Sequence, residues 1–488
     1  MRATRLERAV LAALASLGLR GPVERQGGVT VLCRAEEAFA IRAATARAAG
    51  RTLDLQYYVW RGDLTGKLLA REVLYAADRG VVVRMLLDDV YALGHERTIA
   101  ALDAHPNIEV RLFNGTRWRR FGRWGYALEV AFGGWHLNRR MHNKNWVADG
   151  QLAVVGGRNI GNEYFGLDEE GAVNFRDLDL VLAGSPARGA VDVFERYWRS
   201  DLARPAEQTS AAAEERRGGL ERLRGVLESA TGAPQAAALL SALRKHPQRH
   251  IRRGLVPVAA DAVRVIADPP EKAKRGLGAR KRARGAGGIA ADIADALRAA
   301  KREARLISPY FVPGEPGMAL LTGMVERGVK VSVVTNSLAA TDVVAVHGGY
   351  MRYRRPLLRA GIDLYELKPG GDDERASLFG SRGGAALHTK ALVVDGLLAF
   401  VGSFNLDPRS ATLNTEMGAF VSNPAVAREV LMEQERLMHP ALSWRLALHR
   451  GRVVWCDATQ QRHTEPEASW QRTLVAWAAR ILPVEEQL

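Results

Sequence analysis

The 488-residue sequence predicts an α/β fold built twice over. Three observations carry this expectation. Hydrophobic residues make up 47% of the chain, ordinary for a protein with sizeable cores. The two halves present the same order of helix-like and strand-like patterns. Each half also carries one set of polar residues at the same spacing. Composition thus excludes a disordered or fibrous chain. Cys33 and Cys456 stand far apart, which excludes a disulfide framework or a cysteine-rich zinc site and fits a reducing compartment.

The elements follow in order. Residues 9–19 form an apolar run behind Arg2, Arg5 and Arg8. Glu7 interrupts the basic stretch and Leu19-Arg20-Gly21 lacks a small-x-small cleavage pattern, so the run reads as a short soluble helix rather than a signal peptide. No stretch of about eighteen uncharged apolar residues predicts a membrane-spanning helix. Periodicity predicts a helix over 35–49, a strand over 52–59, a helix over 64–79 and a buried strand over 81–88. The series returns as helix 289–301, strand 303–311, helix 318–327 and strand 329–336. Gly80 and Gly328, each following an arginine, suit helix C-terminal caps. Strand, helix, strand alternation predicts a parallel-rich sheet flanked by helices, and a repeat of about 250 residues is a duplicated domain rather than a solenoid. Residues 205–250, rich in Ala, Glu and Arg, predict a helical connector. The expected division is an N-terminal helical segment at 1–30, domains at 31–204 and 251–488, and the connector between them. The basic, glycine-punctuated run at 271–285 reads as a solvated loop, with phosphate contact as the lesser alternative. The C-terminal 470–484 has amphipathic helical spacing and suits either an interfacial helix or one docked on the second domain.

Chemistry enters with the repeated polar set. The first is MHNKNWVADGQLAVVGGRNIG, with His142, Lys144, Asp149, Gly157 and Asn159; the second is LHTKALVVDGLLAFVGSFNLD, with His388, Lys390, Asp395, Ser403 and Asn405. Every interval from histidine to asparagine is the same in both. His and Lys two apart on a strand would share a face. Asp-Gly predicts a hairpin turn whose return strand carries each asparagine back toward its histidine. Imidazole serves as nucleophile or proton donor, while Lys and Asn hold phosphate oxygens. Transfer through a covalent intermediate needs one group to attack and another to protonate the leaving oxygen, and two halves meeting across a pseudo-twofold interface supply both. Carboxylates are needed to orient the imidazoles; Asp177 in FRDLDLVL and Glu416 in LNTEMGAF are the candidates. No His, Cys or carboxylate stands at metal-ligand spacing, so no metal and no other cofactor is expected.

The twin H-x-K-x4-D elements, each trailed by G-G-x-N or G-S-x-N, resemble the phospholipase D superfamily. GGRNIGNEYFG, TNSLAATDVVAVHGGYMRYRRPLL, YELKP and GSFNLDPRS narrow the resemblance to its bacterial cardiolipin synthases, from about Gln56 to the end of the chain. The resemblance implies a duplicated phospholipase D-like α/β/α sandwich with one active site between two similar domains. It implies phosphatidyl transfer through a phosphohistidine, with His142 attacking phosphorus and His388 as general acid and base. Lys144, Lys390, Asn159 and Asn405 complete the expected site, with Asp149 and Asp395 as structural supports. Gly157 and Ser403 are the expected substrate-contacting pair, and glycine in the first half departs from the commoner serine. Implied partners are phospholipid substrates, phosphatidylglycerol and phosphatidylethanolamine, on the inner (cytoplasmic) membrane of a bacterium, the protein being peripheral. An additional small membrane protein is left open.

A formal charge of +15 calls for a polyanion, either an anionic membrane surface or nucleic acid. Residues 117–140 hold six arginines, one acid and six aromatics, the composition of a bilayer interface, though a buried aromatic loop would fit as well. Trp118, Phe121, Trp124 and Trp135 with Arg119 and Arg120 are therefore the expected membrane contacts, and nucleic acid is not expected as a partner. A nuclease or a phospholipid-hydrolysing phosphodiesterase remains the alternative enzyme; a basic scaffold with a relic site would not need two intact motifs.

Overall fold

The computed structural model describes residues 3–17, 26–116, 118, 121–131, 135–167, 173–206, 218–245, 254–274, 288–370 and 384–481. Two large mixed sheets dominate it. The first holds nine strands. Its centre is the parallel trio Thr52–Tyr57, Val82–Asp88 and Ile108–Phe113. Beside Thr52–Tyr57 runs the antiparallel hairpin Asn145–Ala148 and Leu152–Gly156, followed by Asp179–Gly184, Gln26–Leu32 and Val256–Ala259. The ten-stranded second sheet repeats the plan: Glu303–Ile307, Lys330–Asn336 and Asp363–Leu367 are parallel, and Ala391–Val394, Leu398–Gly402 and Met417–Ser422 continue antiparallel. Each sheet is thus mixed rather than parallel-rich, because the Asp-Gly hairpin returns the chain antiparallel. Val256–Ala259 joins the first sheet, and the chain crosses to the second only before Val263–Ala267. That crossing falls later than the boundary expected at residue 250.

Helices Ala35–Ala48 and Leu64–Asp78 cover the outer face of the first sheet, with Gly219–Ser229 and Pro234–Lys245 of the connector packed on them. Helices Ala187–Trp198 and Pro424–Leu437 lie between the sheets, in a core that draws Val147, Val155 and Leu180 from one half and Val393, Val401 and Ala419 from the other. Burial of this shared apolar surface, at roughly 25 cal/mol per Å², joins the halves into one body. Backbone pairing adds register: Val173–Arg176 pairs in parallel with Gly384–Leu387, a two-stranded sheet with one strand from each half. The N-terminal run forms helix Arg5–Ser16, capped by Thr4 and Glu7. No described helix is long and apolar enough to cross a membrane.

Candidate active site

Two hairpins deliver the site. Asp149 and Gly150 have φ of 50° and 64°, and Asp395 and Gly396 have 55° and 69°, so both turns are type I′, with Gln151 N and Leu397 N closing onto Ala148 O and Val394 O. Neither aspartate carboxylate lines the cavity. Asp149 accepts from the backbone of Gly50, Arg51 and Thr52 and from the Thr4 hydroxyl; Asp395 accepts from Lys301, Arg302 and Glu303 N. Each ties its turn to the start of the neighbouring central strand, a supporting role.

The histidines stand at the other end of the hairpins. His142-Asn143-Lys144 and His388-Thr389-Lys390 just precede their strands instead of lying in them. They are held by the opposite half: His142 N donates to Thr415 O, and His388 N to Arg176 O, both at 2.8 Å. The residues after those two carbonyls are Glu416 and Asp177. One backbone bond therefore sets each imidazole against the other half's carboxylate. His142 Nδ1 lies 2.9 Å from Glu416 Oε2 and 3.2 Å from Ser403 O, and His388 Nδ1 lies 2.6 Å from Asp177 Oδ2. All three partners are acceptors, so each Nδ1 carries hydrogen and each Nε2 is left for chemistry.

A cavity of about 400 Å³ opens here, lined by His142, His388, Asn159 and Asn405. Burial pushes His142 down to about 4 against the pull of Glu416, with Lys144 and Lys390 adding to the fall. Burial and the same two lysines hold His388 well below the usual histidine range. Burial likewise depresses Lys144, and brings Lys390 to about 8 despite Asp177 and Glu416. Each ammonium donates to the carbonyl of its own histidine. Glu416, which burial alone would raise, is kept below the carboxylate range by His142 and Lys144, whereas burial raises Asp177. Lys144 and Lys390 are buried and do not line the cavity; in its lining, the imidazoles of His142 and His388, the amides of Asn159 and Asn405 and the Arg409 guanidinium suit a phosphodiester anion.

The site is asymmetric where the sequence differs. Ser403 Oγ donates to Glu416 Oε2 and Ser410 Oγ to Oε1. Ser403 is fully buried behind the histidine, so its hydroxyl supports Glu416 instead of contacting substrate. At Gly157 a methyl group would stand 2.4 Å from Asp177 Oδ1, which explains the glycine: the carboxylate of the first half fills the space a side chain would take. Gly157 also stays out of the cavity lining. Asn159 is fixed, accepting from Val59 N at 3.3 Å and donating to Tyr164 OH at 2.9 Å. Asn405 Oδ1 is buried with no hydrogen-bond partner, an acceptor that a ligand hydroxyl would satisfy.

Sequence reasoning missed several lining residues. Tyr58 stands edge-on to His142 at 5.0 Å and Tyr164 to His388 at 5.2 Å. Tyr310, Asp342 and Arg409 also line the cavity. Superposing QYYV on SPYF at the ends of the two repeated strands would have revealed Tyr58 and Tyr310; Arg409 gives no such signal. Arg158, fully buried, bonds Asp179 and the Asp177 carbonyl and so fixes the loop carrying Asp177.

Among the expected membrane residues, Trp118, Phe121 and Trp124 are exposed, Trp124 by 80%, at and in helix Gly122–Ala131. Arg119 and Arg120 lie outside the described residues, and Trp135 begins the short helix Trp135–Asn138. Arg140 of the same stretch is buried on Asp88 and Tyr126, and Arg139 is tied to Lys274 O, so these two basic residues serve the fold. Most of the basic run at 271–285 lies outside the described residues; its first lysines are bound to Asp268 and Asp201. The one described cluster with metal-ligand potential, His347, Glu366 and Glu465, is already filled by the Arg354 guanidinium.

Known proteins resemble this chain in sequence and in fold. The family model "Cardiolipin synthase, PLD-like domain" matches twice, at residues 43–183 and 293–438. Cardiolipin synthase C of Escherichia coli is 39% identical over 94% of this chain and 96% of its own. Cardiolipin synthase A of Pseudomonas entomophila is 26% identical over 86% and 70%. Among solved structures, a phosphatidylserine synthase of Haemophilus influenzae shares the fold at TM-score 0.59 and 14% identity, across 98% of this chain and 100% of that one. With both halves matched, each carrying its own histidine and lysine pair, the chain belongs to the PLD-like cardiolipin synthase family.

Proposed function

We propose that this chain moves a phosphatidyl group from a donor phospholipid, phosphatidylethanolamine or phosphatidylglycerol, onto a headgroup hydroxyl of phosphatidylglycerol, forming cardiolipin. One observation carries the mechanism: two imidazoles, each with Nδ1 on a carboxylate of the other half, line a single cavity. His142 Nε2 attacks phosphorus. The bond from phosphorus to the headgroup oxygen breaks, and His388, which takes up a proton at Nε2 as the diester anion binds, gives that proton to the oxygen as it leaves. His388, now neutral, takes the proton of the incoming glycerol hydroxyl, whose oxygen displaces His142 from phosphorus. Lys144 and Lys390, with Asn159 and Asn405, hold the non-bridging oxygens. No metal or other cofactor has a part in these steps. The protein would work peripherally on the inner (cytoplasmic) membrane, drawn to anionic lipid by its +15 charge and by Trp118, Phe121 and Trp124.

Lipid analysis after incubation with mixed phosphatidylethanolamine–phosphatidylglycerol vesicles should show cardiolipin, with free ethanolamine or free glycerol identifying the donor. Phosphatidic acid in its place would make the chain a hydrolase. Role assignment rests on the adduct: His388→Asn should accumulate phosphatidyl on His142, and His142→Asn should form none. Mass spectrometry at neutral or alkaline pH, where phosphohistidine survives, reads this out. An adduct on His388 in the His142→Asn protein would reverse the two roles.

A further inference from the structure

The C-terminal helix Trp470–Ile481 uses only one of its two apolar faces within the fold. Ala476 and Ala479 are buried where helix Val344–Arg359 brings Gly348 so close that a methyl group there would stand 2.4 Å from the Ala476 carbonyl oxygen. On the other side Trp470, Leu474, Trp477 and Ile481 are exposed by 72%, 56%, 55% and 61%. Their steps of four, three and four residues make one helical stripe, with Val475 beside it. A contiguous stripe of large apolar groups marks an interaction surface, not ordinary scatter. The helix carries Arg472 and Arg480 and no acidic residue.

Its position ties the stripe to the active site. Arg472 donates to the carbonyls of Leu338 and Thr341, the turn that leads directly into Asp342 and Val343 on the cavity lining. Arg409, also on the cavity lining, donates to Asn138 O at 2.8 Å, at the end of the stretch that follows the exposed aromatic helix Gly122–Ala131. Each exposed aromatic element is thus connected through one arginine to the cavity lining. We propose that Trp470–Ile481 lies on an anionic phospholipid bilayer, its stripe at the boundary of headgroups and acyl chains, and holds the cavity mouth at headgroup depth. Tryptophan with aliphatic residues on one face, arginine and no acid in the same helix, and a neighbouring site for a lipid phosphodiester favour a bilayer over a protein partner. The inference rests on the lipid substrate proposed above.

The test uses the full chain with Trp470, Leu474 and Trp477 all changed to Ser, and Leu474→Asp as a milder second variant. Sedimentation with phosphatidylglycerol–phosphatidylethanolamine vesicles measures binding. Turnover of dihexanoyl-phosphatidylglycerol together with dihexanoyl-phosphatidylethanolamine, both below their micelle concentrations, measures the site without a surface. Vesicle affinity should fall about tenfold or more, and cardiolipin formation on vesicles with it, while turnover of the dispersed lipid stays within about twofold. Vesicle binding equal to the parent in both variants would overturn the proposal. So would a parent that self-associates without lipid when the variants do not, with vesicle binding unchanged, since the stripe would then join copies of the chain. If the parent turns over no dispersed lipid, the transferase reading fails instead, whatever the vesicles show.

Discussion

Two buried lysines and two buried carboxylates, Asp177 and Glu416, set the charge around the two imidazoles. Burial pushes His142 down to about 4, leaving it neutral at pH 7, and burial with the lysines disfavours a proton on His388. A neutral His142 is ready to attack, but His388 must gain a proton before it can give one away. The substrate supplies the reason to gain it: a diester anion placed between the lysines offsets their repulsion and raises the imidazole's proton affinity. Binding should therefore take up protons. Calorimetry of glycerophosphoglycerol binding in buffers of different ionisation enthalpy should find net proton uptake at pH 7, with affinity weakening as pH rises. His388→Gln should abolish the uptake. Uptake that persists in that variant would mean that another group receives the proton.

At the scale of elements, the hairpins are rigid levers anchored far from the chemistry. Asp149 gathers three backbone N–H groups and the Thr4 hydroxyl at a residue with φ of 50°, a backbone that aspartate tolerates and alanine does not. Asp149→Ala should lower stability by about 1–3 kcal/mol, seen as a lower melting temperature, while kcat of the folded protein changes by less than about threefold. A kcat loss of about a thousandfold at unchanged melting temperature would instead put the aspartate in the chemistry. The same elements show what was legible in the sequence. Thr52–Tyr57, Val82–Asp88 and their counterparts follow from apolar runs bounded by capped helices, and the Asp-Gly turns from residue chemistry alone. The need for carboxylates on the imidazoles was also legible, and so were Asp177 and Glu416. That each serves the other half's histidine was not, because the bonds from His142 N to Thr415 O and from His388 N to Arg176 O join residues over two hundred positions apart. Nor was the partner of Val256–Ala259, a short strand whose side chains alternate between intermediate, exposed and buried environments with little apolar pattern to fix it. Ser403 illustrates a subtler failure, since spacing placed it correctly in the loop but could not say that its hydroxyl turns to Glu416.

For the whole molecule, one cavity draws its lining from both halves, and Arg409 and Arg472 connect that lining to the segments that carry the exposed Trp124 and Trp470. Two forces of different range should hold such a body to lipid. The +15 charge acts over about 10 Å at 0.1 M salt but only about 3 Å at 1 M, whereas aromatic insertion does not depend on screening. Binding to phosphatidylglycerol vesicles should then fall steeply as salt rises and level off at a residual that salt does not remove. Trp118→Ala with Trp124→Ala should lower that residual while leaving the slope with salt unchanged, because neither side chain carries charge. A residual that is the same in the double variant and the parent would show that the helix Gly122–Ala131 stays out of the bilayer. Loss of all binding at high salt in the parent would reduce recruitment to charge alone, and the exposed tryptophans would need another partner.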